Sequence, residues 1–314
     1  MIKPMLATDF DEKKLKFPLI AQPKIDGVRG LNLEGSLTGR SLKPHANIYT
    51  TAMFSQTHYK GLDGELAFGD QTDPNLCFNT TSAVNSIKGT PDVDWHVFDL
   101  ITPATIDRVY ARRYEHLQRC VDNLHETVLG RNIYIVPSVL CENLDDLLFQ
   151  EGMWLDQGYE GVIIRNPDGL YKQGRSTVRE GGLLRIKRFM QEDATVLAVV
   201  EGNANGNEAK TNELGRTERS THQANMKPNG LVGTLLCRLH KDVFDAHTGV
   251  NLLEKGQEIT VSAGSMTHKD RAHYLLNPDE IVLKTIQFKF FPKGIKDKPR
   301  FPTFVSIRAR SDKV

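Results

Sequence analysis

The chain has 314 residues, 39% apolar and 25% charged, with a formal net charge of +1, which is room for two ordinary globular domains. No apolar run approaches the roughly 20 residues that span a bilayer, and the opening MIKPMLATDF lacks the apolar stretch of a secretory signal. A near-neutral balance disfavours indiscriminate nucleic-acid binding but leaves room for local basic surfaces.

Up to about residue 190 the pattern mixes strands with helices. FPLIAQPKIDGVRGLNLEG reads as strand, turn and strand around Asp26-Gly27, a common hairpin dipeptide. LDGELAF and WHVFDLI are further apolar strands. Leu117, Val121 and Leu124 recur at helical spacing within Arg112 to Glu126. Asn143 can cap a second helix that runs through Leu155, with Gly158 placed to end it. EGVIIR and LLRIKRF return to strands.

Beyond residue 190 the texture is strands alone: ATVLAVVEG, GLVGTLLCRL, GQEITVSAG and IVLKTIQFKFF. Four or five short strands predict a small β-barrel, with an OB-fold as the leading candidate. Between the first two lies Asn203 to Asn229, polar except for Ala204, Ala209, Leu214, Ala224 and Met226. Such a segment buries too little apolar area to fold alone and is expected to be disordered without a partner. The final stretch is basic, with Lys284, Lys289, Lys293, Lys296, Lys298, Arg300, Arg308, Arg310 and Lys313 against Asp297 and Asp312. Phe288, Phe290, Phe291, Phe301 and Phe304 interleave with them, as on a strand with one buried face.

Cys77, Cys120, Cys141 and Cys237 form no CxxC pair and read as free thiols in the reducing interior of a cell. Cys237, His240 and His247 lack a fourth ligand nearby, so a zinc site is not expected. Gly169 to Ser176, GLYKQGRS, imitates a P-loop with Arg175 in the lysine place. A P-loop must open a helix so that its amides cradle phosphate, and here TVREGGLLRIK follows with strand character.

Lys24 to Arg29 fits KxDGxR: a nucleophilic lysine at a tight turn, beside an arginine able to bind phosphate or ribose. Asp63-Gly64-Glu65-Leu66, Phe98-Asp99, Glu160-Gly161 and Arg185-Ile186-Lys187 follow in order, each in or beside an apolar strand. Taken together these residues resemble the motif series of the covalent nucleotidyltransferases, which comprise DNA ligases, RNA ligases and mRNA capping enzymes. The likeness is greatest to minimal ATP-dependent DNA ligases of algal viruses and phages, through ELGRTERSTHQANMKPNGLVGTL, ITVSAG and FKFFPKGIKDKPRFPTFVSIRARSDK.

The resemblance implies an α+β protein. A nucleotidyltransferase (ATP-grasp-like ligase) domain of antiparallel sheets and helices, residues 1–189, precedes an OB-fold barrel, residues 190–314. The polar insert 203–229 falls where those ligases carry a DNA-enclosing latch, which changes its reading to a DNA-binding element. The activity implied is sealing of 3′-hydroxyl/5′-phosphate nicks through lysyl-AMP and DNA-adenylate. The substrates are ATP and nicked duplex DNA, with magnesium or manganese as cofactor. A monomer clamping DNA, with no membrane partner, is implied, inside the cytoplasm of a bacterial or viral host.

By residue, Lys24 would be the nucleophile and Gln22 would read the adenine edge while Phe98 stacks on its face. Arg29, Glu65, Arg185 and Lys187 would contact ATP or AMP, and Glu65 and Glu160 the metal. Arg40, in TGRS, would clamp the 5′-phosphate, and Lys210, Arg216, Arg219 and Lys227 would add DNA contacts. Arg300, Arg310, Asp312 and Lys313 would orient pyrophosphate, with the choice between Arg300 and Arg310 left open. Arg185 stands where the family usually has lysine. A hinge near Lys187 to Asp193 would move the barrel. Arg29, Arg185, Lys187 and the metal would together depress the Lys24 pKa. The alternatives are an mRNA guanylyltransferase, separable by GTP against ATP, an RNA ligase, and a noncatalytic OB-type nucleic-acid binder.

Overall fold

The computed structural model describes residues 2–246, 249–292 and 299–308. Arg310, Asp312, Lys313 and His247, with Lys293, Lys296, Asp297 and Lys298 of the basic stretch, lie outside the described residues. The chain divides into two compact units, through Lys187 and from Arg188 onward.

In the first unit β1 (Met5–Leu6) and β2 (Thr8–Asp9) are short, and β3 (Leu19–Pro23) leads to Lys24. Then come β4 (Val28–Leu31), α1 (Ile48–Phe54), β5 (Leu62–Ala67), α2 (Leu76–Asn85), β6 (Asp94–Leu100), α3 (Tyr110–His125), β7 (Ile133–Ile135), β8 (Val139–Cys141), α4 (Leu144–Asp156), β9 (Val162–Arg165), β10 (Gly174–Arg175) and β11 (Leu184–Ile186). These strands build a five-stranded sheet ordered β2-β11-β9-β3-β8, a four-stranded sheet ordered β4-β5-β6-β7, and a small β1–β10 pair. Pairing is antiparallel at the centre of both large sheets and parallel at β2–β11 and β6–β7.

Sequence patterning explains the packing. Leu117, Val121 and Leu124 of α3 form the predicted stripe and bury against Trp95, Val97 and Ile133 of the four-stranded sheet. Each such side chain contributes about 1.5–3 kcal/mol on full burial. Asn143 caps α4 by accepting from the Asp146 N–H at 2.9 Å, and Gly158 leaves the helix at φ 93°. Leu147 and Trp154 of α4 pack on Ala21, Val162 and Ile164 of the five-stranded sheet.

The expected hairpin at Asp26-Gly27 is corrected by the topology: β3 and β4 belong to different sheets. The chain there crosses from one sheet to the other. Gly27 allows the crossing because a Cβ on it would lie 2.2 Å from the Leu66 carbonyl oxygen.

The second unit holds β12 (Met190–Asn205), β13 (Ala209–Thr211), β14 (Thr217–Arg219), β15 (Met226–Leu239), β16 (Val243–Phe244), β17 (Asn251–Leu253), β18 (Glu258–Ser262), α5 (His268–Leu276), β19 (Thr285–Phe291) and β20 (Arg300–Ile307). Five of these strands close a barrel, β12-β15-β18-β20-β19, with β18 and β20 parallel. Together with a helix between its third and fourth strands, this is OB-fold topology. Val196, Leu235, Val261, Ile286 and Phe288 fill the interior.

The insert departs from the disorder that its composition predicts. β12 and β15 outrun the barrel and pair as far as Asn205 opposite Met226, with β13 and β14 beyond them. Backbone ladders and amide side chains, rather than a core, hold it. The Asn207 amide donates to the carbonyls of Ser220 and His222, both at 2.8 Å, and Asn205 donates to Ser220 at 2.9 Å. Among the described residues no helix is long and apolar enough to cross a membrane.

Candidate active site

Lys24 follows β3 directly, and its backbone is fixed by the neighbouring chain. Its N–H donates to the Gly161 carbonyl at 2.9 Å, and its carbonyl accepts from the Glu160 N–H at 3.1 Å. Gly161 must be glycine because a Cβ there would lie 2.2 Å from the Ile186 carbonyl oxygen. The two motifs and β11 are thus held at backbone-contact distance, which brings three charged side chains together. The Glu160 carboxylate, almost wholly buried, binds the Lys24 ammonium through one oxygen and the Lys187 ammonium through the other.

The electrostatics follow from that sharing. Burial alone would raise Glu160, but the two ammonium groups outweigh it and hold its pKa at about 2. Burial alone would lower Lys24, yet Glu160, then Glu65 and Asp26, raise it above the ordinary lysine value. The protein's own groups therefore raise Lys24 rather than depress it. Of the cations expected to act on it, Arg29 and Arg185 are neutralised elsewhere and Lys187 shares the anion. The side chain rests as an ammonium.

Glu65, in β5, acts on Lys24 through space, and among the described residues no hydrogen bond or ion pair engages its carboxylate. Burial lifts its pKa to about 7, against the pull of Lys24 and Arg29, with Asp26 and Asp63 adding to the rise. Arg29 is the residue opposite it on β4 and makes two bonds to Asp63, at 2.6 and 2.7 Å. Burial alone would lower Arg29, but Asp63 more than restores its charge. Its guanidinium carbon also lies 4.8 Å from the centre of the Phe98 ring.

The remaining expected residues are placed as follows. Gln22 is buried, with its amide oxygen 3.1 Å from the Tyr110 hydroxyl and its amide nitrogen 3.5 Å from the Val136 carbonyl. Both ends of the amide thus have partners inside the protein. Arg185 pairs with Asp9, the residue opposite it on β2, at 2.6 Å and does not join the Lys24 group. Arg40 is exposed on a turn closed by Gly39 N–H to Lys43 and Leu42 N–H to Gly39 bonds. Lys210, Arg216 and Lys227 are exposed on the insert hairpin. Arg219 is turned back, donating to the Asn207 carbonyl. Arg300, at the start of β20, lies 5.5 Å from the Phe301 ring centre. Cys237 is buried and His240 meets the Thr195 hydroxyl at 2.8 Å.

A buried charge group beneath Phe98 received no role from the sequence. Asp99 accepts from Arg113 at 2.8 and 3.0 Å and from Arg165 at 3.1 Å, all three side chains being at most 2% exposed. The signal was present for Arg113, which falls four residues before Leu117 on the apolar stripe of α3. Arg165 ends an apolar strand, where an exposed terminal charge is the ordinary reading.

Comparison with known proteins matches residues 4–187 to the ATP dependent DNA ligase domain. The DNA ligase of Enterobacteria phage T4 is 26% identical over 249 residues, covering 62% of this chain and 50% of that protein. The chain therefore spans about half the length of the curated relatives it matches. A crystal structure of Chlorella virus DNA ligase-adenylate is 27% identical, covering 99% of each chain at a TM-score of 0.53. A Lig E DNA ligase shares the fold at a TM-score of 0.66, with 19% identity over 98% of this chain and 100% of that one.

Proposed function

This chain belongs to the ATP-dependent DNA ligase family, and we propose that it seals nicks in duplex DNA through an adenylate first carried on Lys24. The observation that carries the reading is one lysine set among carboxylates: Lys24 bonded to Glu160, with Lys187 on the same anion and Glu65 within its field. In the first step the Lys24 amine attacks the α-phosphorus of ATP. A P–N bond forms, the bond to the bridging oxygen breaks, and pyrophosphate leaves. AMP then passes to the 5′-phosphate of a nick, and the 3′-hydroxyl displaces AMP to close the backbone.

Lys24 must lose a proton before it attacks, because a lysine near its ordinary pKa of about 10.4 is charged at neutral pH. The Glu160 contact opposes that loss. Nucleotide binding must therefore draw Glu160 away from the ammonium or add positive charge beside it. Glu65 suits a hard cation: a half-buried carboxylate next to the nucleophile, with no hydrogen bond to it among the described residues. Among the described residues no cluster of three or more His, Cys, Asp or Glu could hold a metal alone. Phosphate oxygens and water would then complete the shell of magnesium or manganese on Glu65 and Glu160, as magnesium favours. The bound cation would offset charge on the reacting phosphates.

Phe98 offers a face for the adenine, and Arg29 is placed beside it to meet ribose or phosphate. Arg40 on its exposed turn, with Lys210, Arg216 and Lys227 on the hairpin, supplies phosphate contacts that position the duplex. Arg300 or Arg310 would orient pyrophosphate, and we read the protein as a single copy closing its hairpin around DNA inside the cell. The decisive experiment is mass spectrometry after incubation with ATP and magnesium. One added AMP is expected on wild type, none on Lys24→Ala, and none with GTP. Labelling of Lys24→Ala by ATP would sink the assignment.

A further inference from the structure

Phe98 stands in a break in its sheet. β5 and β6 pair Gly64 with Val97 and then Asp63 with Asp99, so the register skips Phe98. On the other side, pairing with β7 ends at Val97. Phe98 is therefore the extra residue of a β-bulge, a device that re-aims a side chain and leaves its backbone without a ladder partner. A carbonyl left so must find a donor elsewhere.

That donor is Tyr110, the first residue of α3. Its buried hydroxyl lies 3.0 Å from the Phe98 carbonyl and 3.1 Å from the Gln22 amide oxygen. The Gln22 amide keeps its NH2 toward the Val136 carbonyl at 3.5 Å, so its oxygen is the end that faces the hydroxyl. The single hydroxyl hydrogen lies between two acceptors, the Phe98 carbonyl and the Gln22 oxygen, and bridges them. The ring of Tyr110 is held in turn. The Arg165 guanidinium carbon lies 4.3 Å from its centre and 5.2 Å from that of Phe98, and the Arg113 carbon lies 5.4 Å from the Tyr110 ring. Both guanidinium groups are anchored on Asp99. Burial pushes the Tyr110 pKa well above the ordinary tyrosine value, so the group remains a neutral donor.

We propose that Tyr110 is a positioning residue of the nucleotide site: its hydroxyl ties the bulged backbone of Phe98 to Gln22 on the other sheet and so aims the Phe98 ring at the base. The inference rests on Phe98 being the face that receives adenine. A hydroxyl that aims the ring acts on ATP binding and leaves the attack by Lys24 untouched.

The test is a double-mutant cycle on self-adenylation with labelled ATP and magnesium, using Tyr110→Phe, Phe98→Ala and the pair. Tyr110→Phe is expected to raise the KM for ATP by about tenfold, the loss of one well-made buried hydrogen bond, with kcat within about twofold of wild type. In the Phe98→Ala background the same change is expected to leave KM unaltered, because no ring remains to aim. A purely structural hydroxyl would instead lower thermal stability by the same amount in both backgrounds and shift KM equally in both. An unchanged KM in Tyr110→Phe, or an equal rise with and without Phe98, overturns the inference while leaving the ligase reading intact. Wild type that takes no label from ATP overturns both.

Discussion

Glu65 and Glu160 both act on Lys24, yet burial and partners drive them in opposite directions, to about 7 and about 2 from an ordinary 4.5. A raised carboxylate means that the folded chain holds its proton more tightly than the unfolded one. Glu65 therefore costs stability that is absent below pH 4.5, grows through the window between 4.5 and 7, and is complete above it. Glu65→Gln should stabilise the fold at pH 8 by up to about 3 kcal/mol, with no gain at pH 4, while AMP labelling of Lys24 falls by orders of magnitude. Glu160 has the opposite sign: its contribution is full above pH 4.5 and is lost as the pH falls through about 2. Glu160→Gln removes the anion that the Lys24 and Lys187 ammonium groups share, and should cost about 3 kcal/mol or more at pH 8. Urea titrations of both variants at pH 8 and pH 4 check the pair of signs. Destabilisation by Glu65→Gln at pH 8 would mean that its carboxylate is paired in the folded protein.

The hairpin that extends β12 and β15 can be removed cleanly, because Asn205 and Met226 face each other in register and a two-residue Asn-Gly turn joins such a pair. Replacing residues 206–225 in this way takes away Lys210 and Arg216, both exposed, and Arg219, which is bound internally. If the first two meet phosphates, the slope of log K against log salt for a nicked duplex should fall by about 1.8, at about 0.9 per contact. AMP labelling should stay within about twofold, since that step involves no DNA. Equal nick affinity across a salt titration for the shortened and intact chains would remove the hairpin from the DNA site. The same element marks where reading the sequence stops. Its polar composition predicts disorder because a composition count sees no core, and nothing local reveals that two flanking strands extend their ladders into it. The barrel strands themselves were legible, as was α4 with its Asn143 cap, because alternation and capping are local signals. The site was legible where a motif fixes backbone contact, as at Lys24 and Glu160. It was hidden where the partner is remote in sequence: Asp9 takes Arg185, Asp63 takes Arg29, and Tyr110 takes Gln22 and Phe98. Asp26-Gly27 misled for a related reason, since a turn dipeptide does not say whether its two strands share a sheet.

Each of the two units has its own core. The buried cluster from Ala194 to Phe304 lies wholly beyond Arg188, and the clusters around Trp95, Trp154 and Leu31 lie wholly before it. In the second unit every strand of the barrel has a neighbour on both sides, so closure leaves no barrel edge to template association. The helix α5 is capped by the Thr267 hydroxyl, which accepts from the Asp270 N–H at 3.1 Å, and Arg271 ties it to the barrel through the Val232 carbonyl at 2.6 Å. A closed ladder, a continuous core and a capped helix together are sufficient for independent folding. Residues 188–314 produced alone should therefore melt in a single cooperative transition by circular dichroism, with amides of β12, β15 and β18 the slowest to exchange. The fragment retains the basic hairpin but not Lys24, so it should bind duplex DNA with strong salt dependence and take up no AMP. A broad, non-cooperative melt would show that the barrel needs the first unit to fold. Cooperative folding with no affinity for DNA at low salt would instead locate the DNA contacts in the first unit, at Arg40 and its turn.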